Sequence, residues 1–177
     1  MVAQLSVPVS DVSTPSSYGI EGVVQVFTCS QRHFFTTVMA QALRVAGQGS
    51  GVIICQLLKG GIQTGVEHPV QLGQHLTWFR PALGRSLGVG DDLAAEDITA
   101  VRSLWQHVQT LVQEGSYRLL VLDELSLAIQ MGLLQEAEVL DFLQSRPRTL
   151  DVILTGSAMP ESVLAIADQI TQLRRLV

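Results

Sequence analysis

The chain has 177 residues, with eleven Lys and Arg against sixteen Asp and Glu for a formal net charge of −5, and this length points to one domain. Hydrophobic residues make up 47% and charged residues 15%, against about 25% charged in an average globular chain, which allows a sizeable core and excludes a mainly disordered chain. Without clustered Lys and Arg to neutralise phosphates, nucleic acid is excluded as the main partner, and no apolar run approaches the roughly 20 residues that would cross a bilayer.

Residues 1–19 (MVAQLSVPVSDVSTPSSYG) are rich in Ser, Pro and Val without helical periodicity, and read as a flexible arm able to dock as a lid. A single domain is expected over 20–177. The first basic residue is Arg32, so no signal or transit peptide is expected. Cys29 and Cys55 are the only cysteines, too few for a disulfide framework or a structural zinc site. A reduced, cytoplasmic setting is the resulting expectation.

From Val23 the pattern becomes regular. The run 23–28 (VVQVFT) reads as a buried strand, rich in β-branched and aromatic residues. A loop at 29–35 leads to a helix over 36–46, with Gly47 as a C′ residue. Residues 51–58 (GVIICQLL) form a second apolar strand, Gly60, Gly61 and Gly65 mark a loop, and a short strand is predicted at 76–79. The stretch 81–92 reads as a long irregular loop before a helix over 93–114. That helix carries Ile98, Val101, Leu104, Trp105, Val108, Leu111 and Val112 on one stripe, which makes Trp105 a packing residue. Further strands are predicted at 118–122, 150–154 and 170–176, with short helices up to Gln144 and one opened by Pro160 and running to Ala167. Nearly all-apolar strands alternating with helices predict an α/β fold, three-layered and doubly wound, around a mainly parallel sheet. Ligands in such sheets gather at the carboxyl ends of the strands, here just after Thr28, Leu58, Leu122 and Leu154.

The first strand–loop–helix unit has the outline of a phosphate-binding loop, G-x-x-x-x-G-K-[ST]. In that loop glycines let backbone amides curl round an anion, lysine neutralises it, and a hydroxyl holds Mg²⁺. With Thr36 as the hydroxyl, Phe35 stands at the lysine and Phe34 and Cys29 at the glycines. Ser30, Arg32, His33, Thr36 and Thr37 remain as candidate anion contacts at a helix start; the alternative is an ordinary β–α turn. The second element, RLLVLDE (118–124), ends an apolar strand in Asp123 and Glu124, placed to hold Mg²⁺ together with Thr36. Trp78 is open to two readings, stacking on a planar ligand or packing. His33 and Cys29 are weighed toward a solvated side chain and a buried filler. His68, His75 and His107 lack metal-ligand spacing. Asp91, Asp92, Glu96 and Asp97 suit the first turn of a helix, and Arg146, Arg148, Arg174 and Arg175 suit solvent.

The segments ALRVAGQGSGVIICQLLKG (42–60), LTW (76–78), LWQHVQTL (104–111), LLVLDELSLAI (119–129) and 139–174 occur in an order and spacing that resembles the P-loop type ATP:corrinoid adenosyltransferase family. The resemblance covers about 24–176 and implies a P-loop NTPase (RecA-like) fold. It also implies a reaction, in which the loop cradles the triphosphate of ATP with Mg²⁺, a cob(I) corrinoid attacks the ribose 5′ carbon, and triphosphate leaves. By position, Thr36 and Thr37 match the loop hydroxyls, Asp123 and Glu124 the acidic metal pair, and Thr77 and Trp78 the corrinoid side. Lys59 falls in the Gln-x-x-Lys-Gly segment 56–60, and Thr155 with Gly156 match a strand-end pair. A homodimer is implied as well.

The family loop, approximately T-G-N-G-K-G-K-T-T, is replaced here by CSQRHFFTT (29–37), without any of its glycines or lysines. The family's Pro- and Gly-containing tail has no counterpart after Val177. One preorganised donor at developing charge is worth about 3 kcal/mol, so the expectation is an adenosyltransferase-like protein whose transfer is weak or lost. The alternative is a non-catalytic corrinoid- or nucleotide-binding or regulatory protein on the same fold. An ATP-hydrolysing motor is disfavoured, since the lysine is gone and no catalytic glutamate or arginine finger can be assigned. In this frame, replacing Phe34 and Phe35 by Gly and Lys is expected to strengthen any ATP binding.

Overall fold

A computed structural model of the chain describes residues 21–174; the arm predicted at 1–19 and the end of the last predicted strand lie outside them. Seven strands form one sheet in the order β3-β4-β2-β5-β6-β1-β7: β1 (Val24–Cys29), β2 (Gly51–Gln56), β3 (Val70–Leu72), β4 (Leu76–Phe79), β5 (Tyr117–Asp123), β6 (Asp151–Ser157) and β7 (Gln169–Leu173). All neighbours run parallel except β3, which pairs antiparallel with β4.

The central strands are apolar on both faces, and their side chains alternate between two cores. Ile53 and Cys55 of β2, Leu120 and Leu122 of β5, and Val152 and Leu154 of β6 pack into one cluster. Val52, Ile54, Leu119, Val121 and Ile153 pack into the other. Such double-sided burial is what a parallel sheet covered on both faces requires. Helix α1 (Thr36–Gly47) covers the second cluster through Val38, Met39 and Ala42. The opposite face is covered by α2 (Ala95–Glu114), α3 (Leu125–Gln130), α4 (Glu136–Ser145) and α5 (Glu161–Ala165). The three-layer α/β expectation therefore holds. Trp105 lies in the first core, its ring 5.0 Å from that of Phe142 and its indole N–H donating to Glu138, as the apolar stripe implied.

Several boundaries differ from the sequence reading. Strand β2 stops at Gln56, because beyond it the chain pairs with a loop: Leu87 N donates to Leu58 O at 2.9 Å. The segment 81–92 is irregular but anchored, with Leu83 and Leu87 buried and Arg85 bridging Asp91 and Asp97. Gly47 ends α1 from inside it, and the left-handed glycine that turns the chain is Gly49, at φ +85°. Strand β3 was not anticipated; it is three residues long and partly exposed. No helix among the described residues is long and apolar enough to cross a membrane.

Candidate functional site

Parallel topology brings four strand ends side by side, in the order β4-β2-β5-β6, and each delivers one polar side chain to the same row. Thr155 Oγ1 donates to Asp123 Oδ1 at 2.7 Å, and Gln56 Nε2 donates to Asp123 Oδ2 at 2.8 Å. Gln56 Oε1 accepts from Arg80 Nε at 3.1 Å. Only one orientation of the Gln56 amide satisfies both neighbours, since the carboxylate needs a donor and the guanidinium an acceptor. Thr155 Oγ1 also accepts from Glu124 N at 3.0 Å. Gln56, Asp123, Glu124 and Thr155 are all buried, so the row is a satisfied polar network inside an apolar core. Burial raises the Asp123 pKa above the usual carboxylate range, against the lowering effect of its hydrogen bonds from Thr155 and Gln56.

Glu124 adopts a left-handed backbone, φ +63° and ψ +29°, at the start of α3, a conformation that costs a non-glycine residue about 1–2 kcal/mol. Its carboxylate turns back to the β1 side. Both of its oxygens are taken by Arg32: Nη2 donates to Oε2 at 2.8 Å and Nε to Oε1. Lys59 Nζ lies 3.8 Å from Oε1. This pair raises the Arg32 pKa, chiefly through the hydrogen bonds to Glu124. Gly156, with φ +154°, lets β6 pass close to α3, since a Cβ there would overlap Ser126 Oγ.

The loop 30–35 departs from a phosphate cradle in its backbone as well as its side chains. Phe35 has φ −83° and ψ +87°, near an inverse γ-turn, and the Thr36 amide donates to Phe34 O at 3.1 Å. Val38 N and Met39 N donate to Phe35 O. The turn drives the Phe35 ring into the second core at 1% exposure, edge-on to Phe27 and His33. Phe34 remains 43% exposed. Ser30, Arg32, His33, Thr36 and Thr37 are at the surface, and Cys29 is half-buried with its thiol against Gln31 O. What remains between loop and row is a hollow of about 270 Å³ lined by Arg32, His33, Phe34, Lys59, Asp123 and Glu124, below the roughly 300–1,000 Å³ typical of small-molecule sites.

These residues do not fit a magnesium triphosphate. The Thr36 amide is spent in the turn, the lysine position is core, and all four carboxylate oxygens of Asp123 and Glu124 already accept from protein donors. No group of three or more His, Cys, Asp or Glu among the described residues is arranged to hold a metal ion.

Of the residues singled out from sequence, the structure brings Arg32, His33, Lys59, Asp123, Glu124 and Thr155 together, with Gly156 behind them. Thr36 and Thr37 begin α1 without a side-chain cap. Thr77 and Trp78 lie on β4, two strands from β5; Thr77 donates to Gln71, and the Trp78 ring carries the Arg80 guanidinium 5.6 Å from its centroid. Sequence reasoning missed Arg80 and the role of Gln56. The signal available was a polar residue just beyond an apolar strand, the pattern that singled out Asp123.

A model of the family described as ATP:corrinoid adenosyltransferase BtuR/CobO/CobP matches residues 20–176. Corrinoid adenosyltransferase of Escherichia coli K12 is 28% identical over 153 residues, covering 86% of this chain and 76% of the relative. Corrinoid adenosyltransferase CobA of Salmonella typhimurium LT2 is 27% identical over the same length and shares. A Pseudomonas aeruginosa corrinoid adenosyltransferase is 26% identical over 157 residues, covering 86% of this chain and 74% of the relative. With a family match over nearly its whole length, the chain belongs to the ATP:corrinoid adenosyltransferase family.

Proposed function

We propose that this chain is a corrinoid-binding member of the family in which adenosyl transfer from ATP is weak or lost. The observation that carries the reading is the two-pronged Arg32–Glu124 pair. A guanidinium from the loop that would hold phosphate is locked onto the carboxylate that would serve the metal. Mg²⁺ and ATP, the family's cofactor and co-substrate, would have to displace that pair. Each missing donor at developing charge removes about 3 kcal/mol, so two or three together slow transfer by roughly 10⁴-fold or more. For the corrinoid this reading relies on Thr77 and Trp78 of β4, both partly exposed beside the polar row, with the Trp78 ring packed on the second core along one side. A cytoplasmic homodimer belongs to the same reading.

The test is titration calorimetry with Mg-ATP and separately with a cobalamin, beside an assay of adenosylcobalamin formation from reduced cobalamin and ATP. Cobalamin binding without measurable ATP heat, and turnover at or near background, are the expected results. Tight ATP binding that disappears in Thr36→Ala would overturn the loss of nucleotide capture, and absence of cobalamin binding would overturn the corrinoid role.

A further inference from the structure

Arg80 lies at the end of β4, two residues past Trp78, and the family resemblance gives it no role. Its Nε donates to Gln56, its guanidinium carbon stands 5.6 Å from the Trp78 ring centroid, and the residue is partly buried. No carboxylate among the described residues pairs with it. The ion pairs among the described residues join Arg32 and Lys59 to Glu124, and Arg85 to Asp91 and Asp97. Among those residues, its two terminal nitrogens donate to no protein acceptor.

Such an arrangement is costly unless something is to be bound. A partly buried cation without a counter-ion forfeits hydration without recovering it in an ion pair. Here the side chain is also held in place: Arg80 leans on Gln56, Gln56 on Asp123, and Asp123 on Thr155, the last three from neighbouring strands and Arg80 just past the end of the fourth. Immobilising an arginine ordinarily costs about 2 kcal/mol of rotamer freedom. In this fold that cost is met on folding, so a ligand meets a fork already set. A second observation marks the same place. The indole nitrogen of Trp78 is the one buried side-chain polar atom without a hydrogen-bond partner among the described residues, and a native structure rarely leaves such an atom without a reason.

We propose that Arg80 is a specificity-determining residue that takes a peripheral oxyanion of a corrinoid while the Trp78 ring lies beside the macrocycle. This rests on the corrinoid-binding reading above. A corrinoid can offer such an oxyanion from two sources, a free carboxylate on its ring substituents or the phosphodiester of a nucleotide loop. Both match the planar fork of a guanidinium, which a neutral amide does not. Asp123 and Gln56 then serve as positioning residues for Arg80.

The test measures binding of three corrinoids to the full chain and to Arg80→Gln and Arg80→Lys. The probes are cobyrinic acid with free carboxylates, cobalamin with a phosphodiester, and cobinamide with neither. At least one of the anionic corrinoids is expected to bind about tenfold or more tighter than cobinamide, as a charge-assisted pair would give. That preference should weaken as salt is raised. Arg80→Gln should bring the three affinities to within about twofold, and Arg80→Lys should restore part of the discrimination, since it keeps charge without the fork. Denaturation midpoints of the variants show whether each is folded. Equal affinity for all three corrinoids in the unaltered chain, or a preference that survives Arg80→Gln, overturns the role of Arg80 while leaving corrinoid binding standing. Binding of none of them overturns both.

Discussion

Replacing Phe35 tests whether the degenerate loop is a change of chemistry or a change of fold. By position Phe35 stands for a lysine, yet its ring is 1% exposed and lies in the core with Val38, Ile54, Val121 and Ile153. Its ring meets Phe27 at 6.1 Å and His33 at 5.1 Å between centroids, both edge-on. Removing the ring in Phe35→Ala forfeits about 1.5–3 kcal/mol of burial; with the cavity left behind, the total is about 3–5 kcal/mol. For a domain of this size, roughly 2–4 °C per kcal/mol translates that loss to about 6–20 °C in Tm. Phe34→Gly, at a residue 43% exposed, should lose much less, about 1 kcal/mol or below. Urea unfolding followed by far-ultraviolet circular dichroism compares the two directly. A Phe35→Ala loss under about 1 kcal/mol would refute the core assignment. The same reasoning revises the expectation that paired Gly and Lys replacements restore nucleotide binding: Phe35→Lys buries an unpaired ammonium and should unfold the domain before any cradle forms.

Asp123 gives a pH signature. Burial raises its folded pKa, so Asp123 binds its proton more tightly in the folded than in the unfolded state. Its stabilising contribution is complete below the unfolded value near 3.9 and is lost as pH rises through the folded value. Stability of the unaltered chain relative to Asp123→Asn should therefore fall across that window, by at most about 1.4 kcal/mol per pH unit, and a flat difference in urea titrations would contradict it. Gly156→Ala should destabilise by about 2–4 kcal/mol, since its Cβ would collide with Ser126 Oγ; Ser126→Ala in the same chain should recover part of the loss. Arg32→Ala strips a partner from buried Glu124, but the Arg32 side chain is 37% exposed. Screening then limits the cost to about 1–2 kcal/mol, and a double-mutant cycle with Glu124→Gln should show coupling of about 0.5 kcal/mol or more.

The parallel sheet was legible because the runs 51–56, 117–123 and 151–157 are apolar at successive positions, and burial on both faces of a sheet demands that pattern. Strand β3 was not, since three residues, two of them exposed, carry no period. Asp123, Glu124 and Thr155 were legible as polar residues at strand ends. Their association with Arg80 and Gln56 was not, because it depends on β2 lying between β4 and β5, and sequence order does not reveal strand order. Phe35 was misplaced for a local reason. Whether a loop residue faces cleft or core depends on one turn, and the turn at 34–36 is made by a backbone hydrogen bond with no side-chain signature.

The two ends of the polar row differ in charge balance, one offset and one cationic. On the β1 side Arg32 and Lys59 face Glu124 and Asp123, so cations and carboxylates offset one another. A triphosphate entering there would meet two carboxylates and would first have to draw Arg32 away. Two unit charges 4 Å apart near a protein surface interact by about 4 kcal/mol, so attraction to each cation is offset by repulsion of similar size from a carboxylate. Magnesium would have to compete for carboxylate oxygens that already accept hydrogen bonds from Arg32, Gln56 and Thr155. On the β4 side there is no such offset. Arg80 is held by a neutral amide and an aromatic ring, with no carboxylate partner among the described residues, so a single oxyanion arriving there would form an ion pair without breaking one.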